Sequence, residues 1–216
     1  IDEKPDKLLV LGDTNSSLGA VIAKRLQVPI YHMEAGNRCF DSRVPEEVNR
    51  KIIDHSSNFL LPYTERSKKN LIAEGIEDRR IFVTGNPIYE VIKYYEEKIN
   101  AVPLKEKKYI LATLHRTETV DVEDRLKNAL EGMALVSKEY KIPVILSLHP
   151  HTRKNIEKFK IHISSDIKLL EPMGFFDFVS LEKNAFCLLS DSGTACEEAC
   201  ILGIPCVTIR DTTERL

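Results

Sequence analysis

The sequence has no excess of charge of either sign and no long apolar run. Its 31 Lys and Arg residues nearly balance 33 Asp and Glu residues, for a formal net charge of −2 over 216 residues. No overall field therefore attracts nucleic acid or an anionic membrane. No apolar run approaches the roughly 18 residues of a membrane-spanning helix, and the first residues do not form a signal peptide. We expect a cytoplasmic protein that binds neither nucleic acid nor membrane.

Cysteine is scarce, and its spacing does not suggest a disulfide framework. Four of the five cysteines, Cys187, Cys196, Cys200 and Cys206, lie in apolar strand or helix contexts, which predicts buried, reduced thiols. Cys196 and Cys200 are one helical turn apart, but no second Cys or His pair accompanies them at the spacing of a zinc site. We therefore expect no metal. Cys39 is in a polar stretch, and we expect a passive thiol there too.

Composition and patterning predict an α/β protein. With 43% hydrophobic and 30% charged residues, the chain can bury a sizeable core. Short apolar runs alternate with amphipathic segments, as in a doubly wound parallel sheet whose strands are covered on both faces. Val122–Tyr140 repeats apolar residues at helical spacing, and Pro45 opens another helix with acids in its first turn. The predicted strands are Lys7–Leu11, Ile30–Met33, Asn58–Leu61, Ile81–Thr84, Tyr109–Thr113, Val144–Leu148, Ile167–Leu170, Phe186–Leu189 and Cys206–Ile209.

A change in composition divides the sequence into two α/β units. A helical segment runs from Asn86 to about Asn100, and a charged linker at 101–108 follows it. We predict part of a first Rossmann-like domain with a connecting helix at 1–100, and most of a second Rossmann-like domain at 105–216. The first predicted element resembles a mid-sheet strand, and the sequence ends in the loop after a strand without a closing helix. We therefore expect the domains to be truncated at both ends.

The clearest candidate for a binding site is Leu188–Glu198, where an apolar run leads through Asp191-Ser192-Gly193 into a helix. The amino end of a helix offers free N–H groups and a positive dipole to a phosphate. Glu198, further along this helix, can accept hydrogen bonds from a ribose diol. An ordinary Ser192 helix cap explains the same residues equally well.

Polar residues follow most of the other predicted strands, and ligands of open α/β sheets gather at such strand ends. These strand-end groups are Gly12-Asp13-Thr14, Glu34 with Arg38, His115-Arg116, His149 with His151, and Arg210-Asp211 with Glu214.

Several of these groups have a structural explanation as well as a functional one. Asp13 suits both a helix cap and an acid–base role. Glu34 follows a buried strand, where an unpartnered charge is costly, which favours function. Glu46 complements a helix dipole, which locally favours structure. His115 suits a loop hydrogen bond, a phosphate contact or acid catalysis. The close spacing of His149 and His151, with no acidic partner nearby, does not favour a metal site.

Eight motifs in this order resemble those of the non-hydrolysing UDP-N-acetylglucosamine 2-epimerase family, from about Lys7 to Arg215. One such motif is weakly specific, whereas eight in register are highly specific. The motifs are Gly12-Asp13-Thr14, Glu34-Ala35-Gly36-Asn37-Arg38, Pro45-Glu46-Glu47-Val48-Asn49-Arg50, Thr84-Gly85-Asn86-Pro87, His115-Arg116, His149-Pro150, Asp191-Ser192-Gly193 with Glu197-Glu198-Ala199, and Arg210-Asp211-Thr212-Thr213-Glu214-Arg215.

The resemblance implies two Rossmann-like domains of the glycosyltransferase-B type with a UDP-sugar between them. It implies epimerisation at C2 of a UDP-N-acetylhexosamine, UDP-N-acetylglucosamine to UDP-N-acetylmannosamine, through elimination and re-addition of UDP. It also implies a homodimer and no cofactor. The residues it assigns to acid–base work are Asp13, Glu34 and Glu46, with His115 beside the diphosphate. Those it assigns to substrate binding are Arg38, His115 and His149, with Ser192 and Gly193 at the phosphates and Glu198 at the ribose.

Other features leave the sugar and the activity open. Met33–Phe40 and Gly174–Phe178 are similar to the branch that works in capsule and O-antigen synthesis, whose substrate is a UDP-linked 6-deoxy-L-aminosugar. The family's amino-terminal Gly-Thr-Arg-Pro-like turn has no counterpart here. A glycosyltransferase of the same fold type and an inactive UDP-sugar-binding module therefore remain alternatives.

Overall fold

Parallel strands alternate with helices in residues 4–100 and 108–214, which this computed structural model describes. Their contacts form two units. Unit 1 comprises the residues up to Pro87 with a short stretch from Thr212, and unit 2 comprises Ile88–Asp211. The predicted α/β class with parallel sheets is confirmed.

Unit 1 is built on a parallel sheet in the order β1-β2-β3. Its strands are β1 (Leu8–Leu11), β2 (Ile30–Met33) and β3 (Phe59–Leu61), its helices are α1 (Gly19–Arg25), α2 (Pro45–Ser56) and α3 (Glu65–Ala73), and its 3₁₀ turns are Asn15–Leu18 and Asp78–Arg80. As predicted, Pro45 opens α2, where its missing N–H costs no helical hydrogen bond.

One face of this sheet is buried. Val10, His32 and Leu60 are neighbours in register across the three strands, and all three are buried. On the other face, Leu9 and Leu11 are each 62% exposed. The expectation that strands are covered on both faces is therefore wrong for β1, because the described residues cover this face only in part.

The strand predicted at Ile81–Thr84 forms a single parallel bridge, between Ile81 and Leu60. The segment is extended, and Phe82 N donates to Leu60 O at 2.9 Å. Thr84 N also donates to Pro62 O at 3.1 Å. Pro62, the residue after β3, has no N–H to donate to segment 81–84, so the pairing is reduced to a single bridge.

Unit 2 is a doubly wound sheet in the order β6-β5-β4-β7-β8. The strand order reverses between β4 and β7, the position where open α/β sheets bind ligands. Its strands are β4 (Ile110–Leu114), β5 (Val144–Leu148), β6 (Ile167–Leu170), β7 (Cys187–Ser190) and β8 (Cys206–Thr208), and its helices are α4 (Ile88–Tyr94), α5 (Glu96–Asn100), α6 (Thr117–Val120), α7 (Glu123–Tyr140), α8 (Pro150–Lys158), α9 (Phe175–Asn184) and α10 (Gly193–Leu202).

The segment before the expected linker packs on unit 2. Ile92 of α4 and Ile99 of α5 share an apolar cluster with Val179 of α9, and Lys183 Nζ donates to Asn100 Oδ1 at 2.9 Å. These contacts group 88–100 with unit 2 rather than unit 1. The linker expected at 101–108 lies outside the described residues apart from its last residue, and the proposed domain limits stay predictions.

The five cysteines are reduced thiols that form no disulfide among the described residues, and they are less buried than their apolar contexts predict. Four are half-buried, and Cys200 is exposed. Cys200 lies on the outer side of α10, a position that local hydrophobicity does not reveal. Within the described ranges, we find no helix with the length and hydropathy needed to cross a membrane.

Candidate active site

The loops after β1 and β2 bring two of the predicted acids together in unit 1. Gly12 (φ +74°) and Glu34 (φ +67°) both adopt left-handed backbone conformations. A Cβ atom on Gly12 would lie 3.3 Å from Glu34 Oε2, so the Glu34 carboxylate rests against the Gly12 backbone. Asp13 follows directly, and both acids therefore belong to adjacent strand ends.

Asp13 does not cap the following helical turn. Its Oδ2 accepts hydrogen bonds from Arg50 of α2, at 2.8 Å from Nε and 2.6 Å from Nη2. Thr14 occupies the N-cap position of that turn. The side chain of Asp13 is 20% exposed, which leaves the acid both anchored by a cation and accessible.

The two adjacent acids at the start of α2 have different surroundings. Glu46 is half-buried in the first turn, whereas Glu47 is fully buried. Glu47 Oε2 accepts from Arg50 Nη1 at 2.7 Å and from Cys39 N at 3.0 Å. Sequence reasoning missed this role of Glu47, although its spacing of three residues from Arg50 was a possible signal. The acid–base role of Glu46 stays a prediction.

Arg38 lies inside unit 1 with 1% exposure. Its Nη2 is 2.8 Å from Asp54 Oδ2, and its Nε and Nη2 donate to both carboxylate oxygens of Glu74 at 2.7 and 2.6 Å. Burial works to lower the pKa of Arg38, but Glu74 and Asp54 outweigh it and raise the pKa above its usual value. This geometry favours a structural role for Arg38, and its predicted contact with substrate stays a prediction.

In unit 2, the ends of β4 and β7 are joined at the reversal of strand order. Asp191 is fully buried and accepts from His115 N at 3.1 Å and from Arg116 N at 2.9 Å. The carboxylate therefore fixes the backbone that carries His115. The residue after Asp191 is Ser192, so His115 and the predicted phosphate turn occur at the same pair of strand ends.

The two predicted histidines are close to each other. The ring centroids of His115 and His149 are 6.1 Å apart. His149 also caps α8, because its Nδ1 accepts from His151 N at 3.2 Å. Burial lowers the pKa of His115, Asp191 acts in the opposite direction, and Arg116 and His149 lower the pKa further. The net shift is downward, so His115 is predominantly neutral at pH 7.

The turn before α10 is a capped helix start. Ser192 Oγ accepts from Ala195 N at 3.4 Å, and Ser192 N donates to Ser190 Oγ at 2.9 Å. Gly193 is the first residue of the helix. The capping interpretation of Ser192 is therefore correct. It is compatible with an anion site, because a capped helix keeps its positive dipole end.

Glu198 lies further along α10 and is 7% exposed. Burial, and then the neighbouring Glu197, raise its pKa to about 7. Glu182 of α9, which sequence reasoning missed, is fully buried, and burial, Glu198 and Cys196 raise its pKa to about 9. No sequence signal marks Glu182, because a charged residue on a helix normally indicates the solvated face.

Among the described residues, no three His, Cys, Asp or Glu side chains are grouped as metal ligands would be.

The model of the UDP-N-acetylglucosamine 2-epimerase family matches residues 1–216, the whole chain. The chain belongs to this family.

Individual members of the epimerase family support the assignment. The UDP-N-acetylglucosamine 2-epimerase of Methanocaldococcus jannaschii is 44% identical over 230 residues, covering 100% of this chain and 63% of the relative. A UDP-2,3-diacetamido-2,3-dideoxy-D-glucuronate 2-epimerase of Pseudomonas aeruginosa is 37% identical over 220 residues, covering 99% of this chain and 61% of the relative.

A solved structure of the epimerase family has the same fold. The crystal structure of the Methanocaldococcus jannaschii enzyme in complex with UDP-GlcNAc and UDP matches with a TM-score of 0.87 at 44% identity, covering 99% of this chain and 62% of that chain. The fold class of the glycosyltransferase-B type is confirmed. The chain spans about 63% of the length of the curated epimerase relatives that it matches.

Proposed function

We propose that the protein epimerises C2 of a UDP-N-acetylhexosamine, interconverting UDP-N-acetylglucosamine and UDP-N-acetylmannosamine. Membership of the epimerase family supports this reaction. The structural observation that carries the proposal is the contact between the Asp13 and Glu34 loops, with the Glu34 carboxylate against Gly12. Two acids at adjacent strand ends suit a reaction that removes a proton and returns one to the same carbon.

The chemistry explains why carboxylates and a phosphate site are both needed. The proton at C2 is not activated by a carbonyl at C1, so direct abstraction and return would be slow. In the proposed route a carboxylate takes the C2 proton while the bond from C1 to the UDP oxygen breaks. The electron pair of the C2–H bond forms the C1–C2 double bond, and UDP leaves with the electrons of the C1–O bond. Re-addition of UDP and a proton on the opposite face of C2 completes the epimerisation.

Unit 2 supplies the features expected of a UDP site. The start of α10 at Gly193 favours the negative charge of phosphate. Neutral His115 offers an N–H donor to the departing diphosphate without a fixed positive charge. Glu198 accepts hydrogen bonds from the ribose in this proposal, in its ionised form. A homodimer and a cytoplasmic location stay predictions, which light scattering and cell fractionation test.

Deuterium incorporation is the direct test of this reaction. The full-length product of the reading frame that encodes this chain is incubated with UDP-N-acetylglucosamine in D2O. We expect UDP-N-acetylmannosamine with deuterium at C2. Glu34→Gln should abolish exchange and leave UDP affinity within a few-fold. Glu65→Gln, an exposed acid of the same unit, is the matched control. Exchange that persists in Glu34→Gln would remove Glu34 from the mechanism.

The sugar is tested in the same assay. A relative at 37% identity is named for a different UDP-aminosugar, so the panel includes UDP-linked 2-acetamido-2,6-dideoxy-L-hexoses. Exchange with one of these alone would assign the capsule-type substrate. Sugar transfer that requires an acceptor would instead indicate a glycosyltransferase, and UDP binding without exchange an inactive binding module. Either of these last two results contradicts the proposed reaction.

A further inference from the structure

One face of α2 carries three charged residues that are buried rather than solvated. Glu47, Arg50 and Asp54 are spaced by three and four residues, so they lie along one side of the helix. Glu47 and Asp54 are 0% exposed and Arg50 is 3% exposed. Buried charges are retained only where partners compensate for the lost water. The partners of these three side chains therefore indicate their role.

Asp54 binds both loops that carry the candidate acids. Its Oδ1 is 2.7 Å from Nδ1 of His32, and Nε2 of the same ring is 3.0 Å from the carbonyl oxygen of Gly12, next to Asp13. Its Oδ2 accepts from Gly36 N at 3.2 Å and is 2.8 Å from Arg38 Nη2. One carboxylate on a rigid helix thus reaches the loop after β1 through an imidazole and the loop after β2 directly.

The other two charges hold further points of the same loops. Arg50 binds the Asp13 carboxylate itself. Glu47 binds Arg50 and the backbone N–H of Cys39, which follows the Glu34 loop. Along one face of α2, Glu47 therefore holds the end of the loop after β2, and Arg50 holds the Asp13 carboxylate. Asp54 holds the backbone close to both acids, at Gly12 through His32 and at Gly36 directly.

We propose that the buried face of α2, together with His32, positions Asp13 and Glu34 relative to each other for the reaction. This inference rests on the proposed function. Both loops leave their strands through left-handed residues, Gly12 and Glu34, and neither acid is part of a helix or strand. Their separation is therefore set by what binds the loops, and a displacement near 1 Å costs on the order of a hundredfold in rate.

Two variants perturb different points of this network. Arg50→Met removes the guanidinium that holds Asp13 and keeps much of the aliphatic stem, and Arg50→Lys is the conservative partner that retains the charge. His32→Phe keeps the ring volume and removes both hydrogen bonds. Ser57→Ala is the matched control: its side chain is fully buried near the end of the same helix, and its Oγ donates only to Ile53 O, at 2.8 Å.

We expect kcat for deuterium exchange at C2 to fall on the order of a hundredfold in Arg50→Met and His32→Phe, with KM within a few-fold. Arg50→Lys should recover at least part of that loss, whereas Ser57→Ala should lower the melting temperature but keep kcat. A purely structural network would give the opposite pattern, with kcat per folded molecule unchanged in all four variants, and that result would overturn the proposal.

Amide hydrogen exchange separates this proposal from the proposed function. The Gly36 amide, which donates to Asp54, should exchange faster in His32→Phe than in wild type or in Ser57→Ala. If wild-type protein shows no exchange of the sugar proton, the proposed function fails, while the Gly36 amide still reports whether the network holds the loop. If the Gly36 amide is protected from exchange equally well in His32→Phe and in wild type, that result alone overturns the positioning role. This holds even if the variant folds too poorly for its kcat to be compared.

Discussion

Glu182 provides the most demanding test of the electrostatics. It lies on α9 with no solvent exposure, and among the described residues neither of its carboxylate oxygens has a hydrogen-bond partner. Its surroundings disfavour the ionised form, which raises the pKa from 4.5 to about 9, mainly through burial and then through Glu198 and Cys196. Folded protein therefore keeps this proton at pH 7, whereas unfolded protein releases it.

The consequence for stability follows from proton linkage. Because the pKa of Glu182 is raised in the folded state, protonated Glu182 contributes its full stability below pH 4.5. This contribution is lost as the pH rises towards about 9. In the unfolded protein, pH 7 is about 2.5 units above the pKa of this carboxyl. At 1.36 kcal/mol per unit, release of the proton on unfolding lowers the free energy of unfolding by about 3 kcal/mol. The loss is about 1 kcal/mol at pH 5 and about 5 kcal/mol at pH 8.

Glu182→Gln removes the titration and keeps the size of the side chain. The free energy of unfolding of the variant relative to wild type should therefore rise by about 4 kcal/mol between pH 5 and pH 8. Urea unfolding of the protein, followed by circular dichroism at several pH values, measures this difference. Glu131→Gln, an exposed acid on α7, is the control and should show no such pH dependence. A difference that stays constant with pH would show that Glu182 is ionised in the folded protein and would refute this reasoning.

Three further predictions test individual residues. Glu198→Ala should weaken UDP binding by about 1–3 kcal/mol in calorimetry, and an unchanged affinity would contradict its ribose role. Gly36→Ala should lower the free energy of unfolding by more than about 2 kcal/mol, because its φ is +78° and a Cβ would lie 2.3 Å from Ser67 O. Gly75→Ala, at φ +87° with open space around the Cβ, should lower the free energy of unfolding by only about 1 kcal/mol. Equal effects of the two substitutions would show that the Gly36 loop moves to accommodate the Cβ. Lys141→Gly should raise stability by about 1 kcal/mol, because Lys141 ends α7 at φ 54°; no change in the melting temperature would contradict this.

The sequence predicted the fold well because the signals for it are local. Val122–Tyr140 was predicted as a helix, and the structure has Glu123–Tyr140 with Val122 at the N-cap. The strand at Val144–Leu148 matches its prediction residue for residue. The strand predicted at 81–84 is reduced to one bridge, because Pro62, the residue after β3, has no N–H to donate to it. Which residue pairs with a proline cannot be predicted until the register of the two strands is known.

The candidate site was only partly predictable, for a related reason. Asp13, Glu34, His115 and Ser192 were proposed as site residues because they follow apolar runs, and strand ends collect ligand-binding groups. The structure places each of them at a strand end, and their roles stay predictions. Asp54 was missed, because a charge in the third turn of a helix normally indicates the solvated side. Its burial results from partners 18 and 22 residues away in sequence. Tertiary contacts of this kind leave no local pattern.

The two units bury charge in opposite ways. In unit 1, Asp54 pairs with Arg38 and Glu47 pairs with Arg50, and these ion pairs hold the side chains in position. In unit 2, burial, and then the neighbouring Glu198 and Cys196, favour the neutral form of Glu182. For the proposed epimerisation, partnered charges suit the positioning of Asp13 and Glu34 in unit 1. In unit 2, Glu198, with a pKa of about 7, neighbours protonated Glu182 and accepts the ribose hydrogen bonds in this proposal.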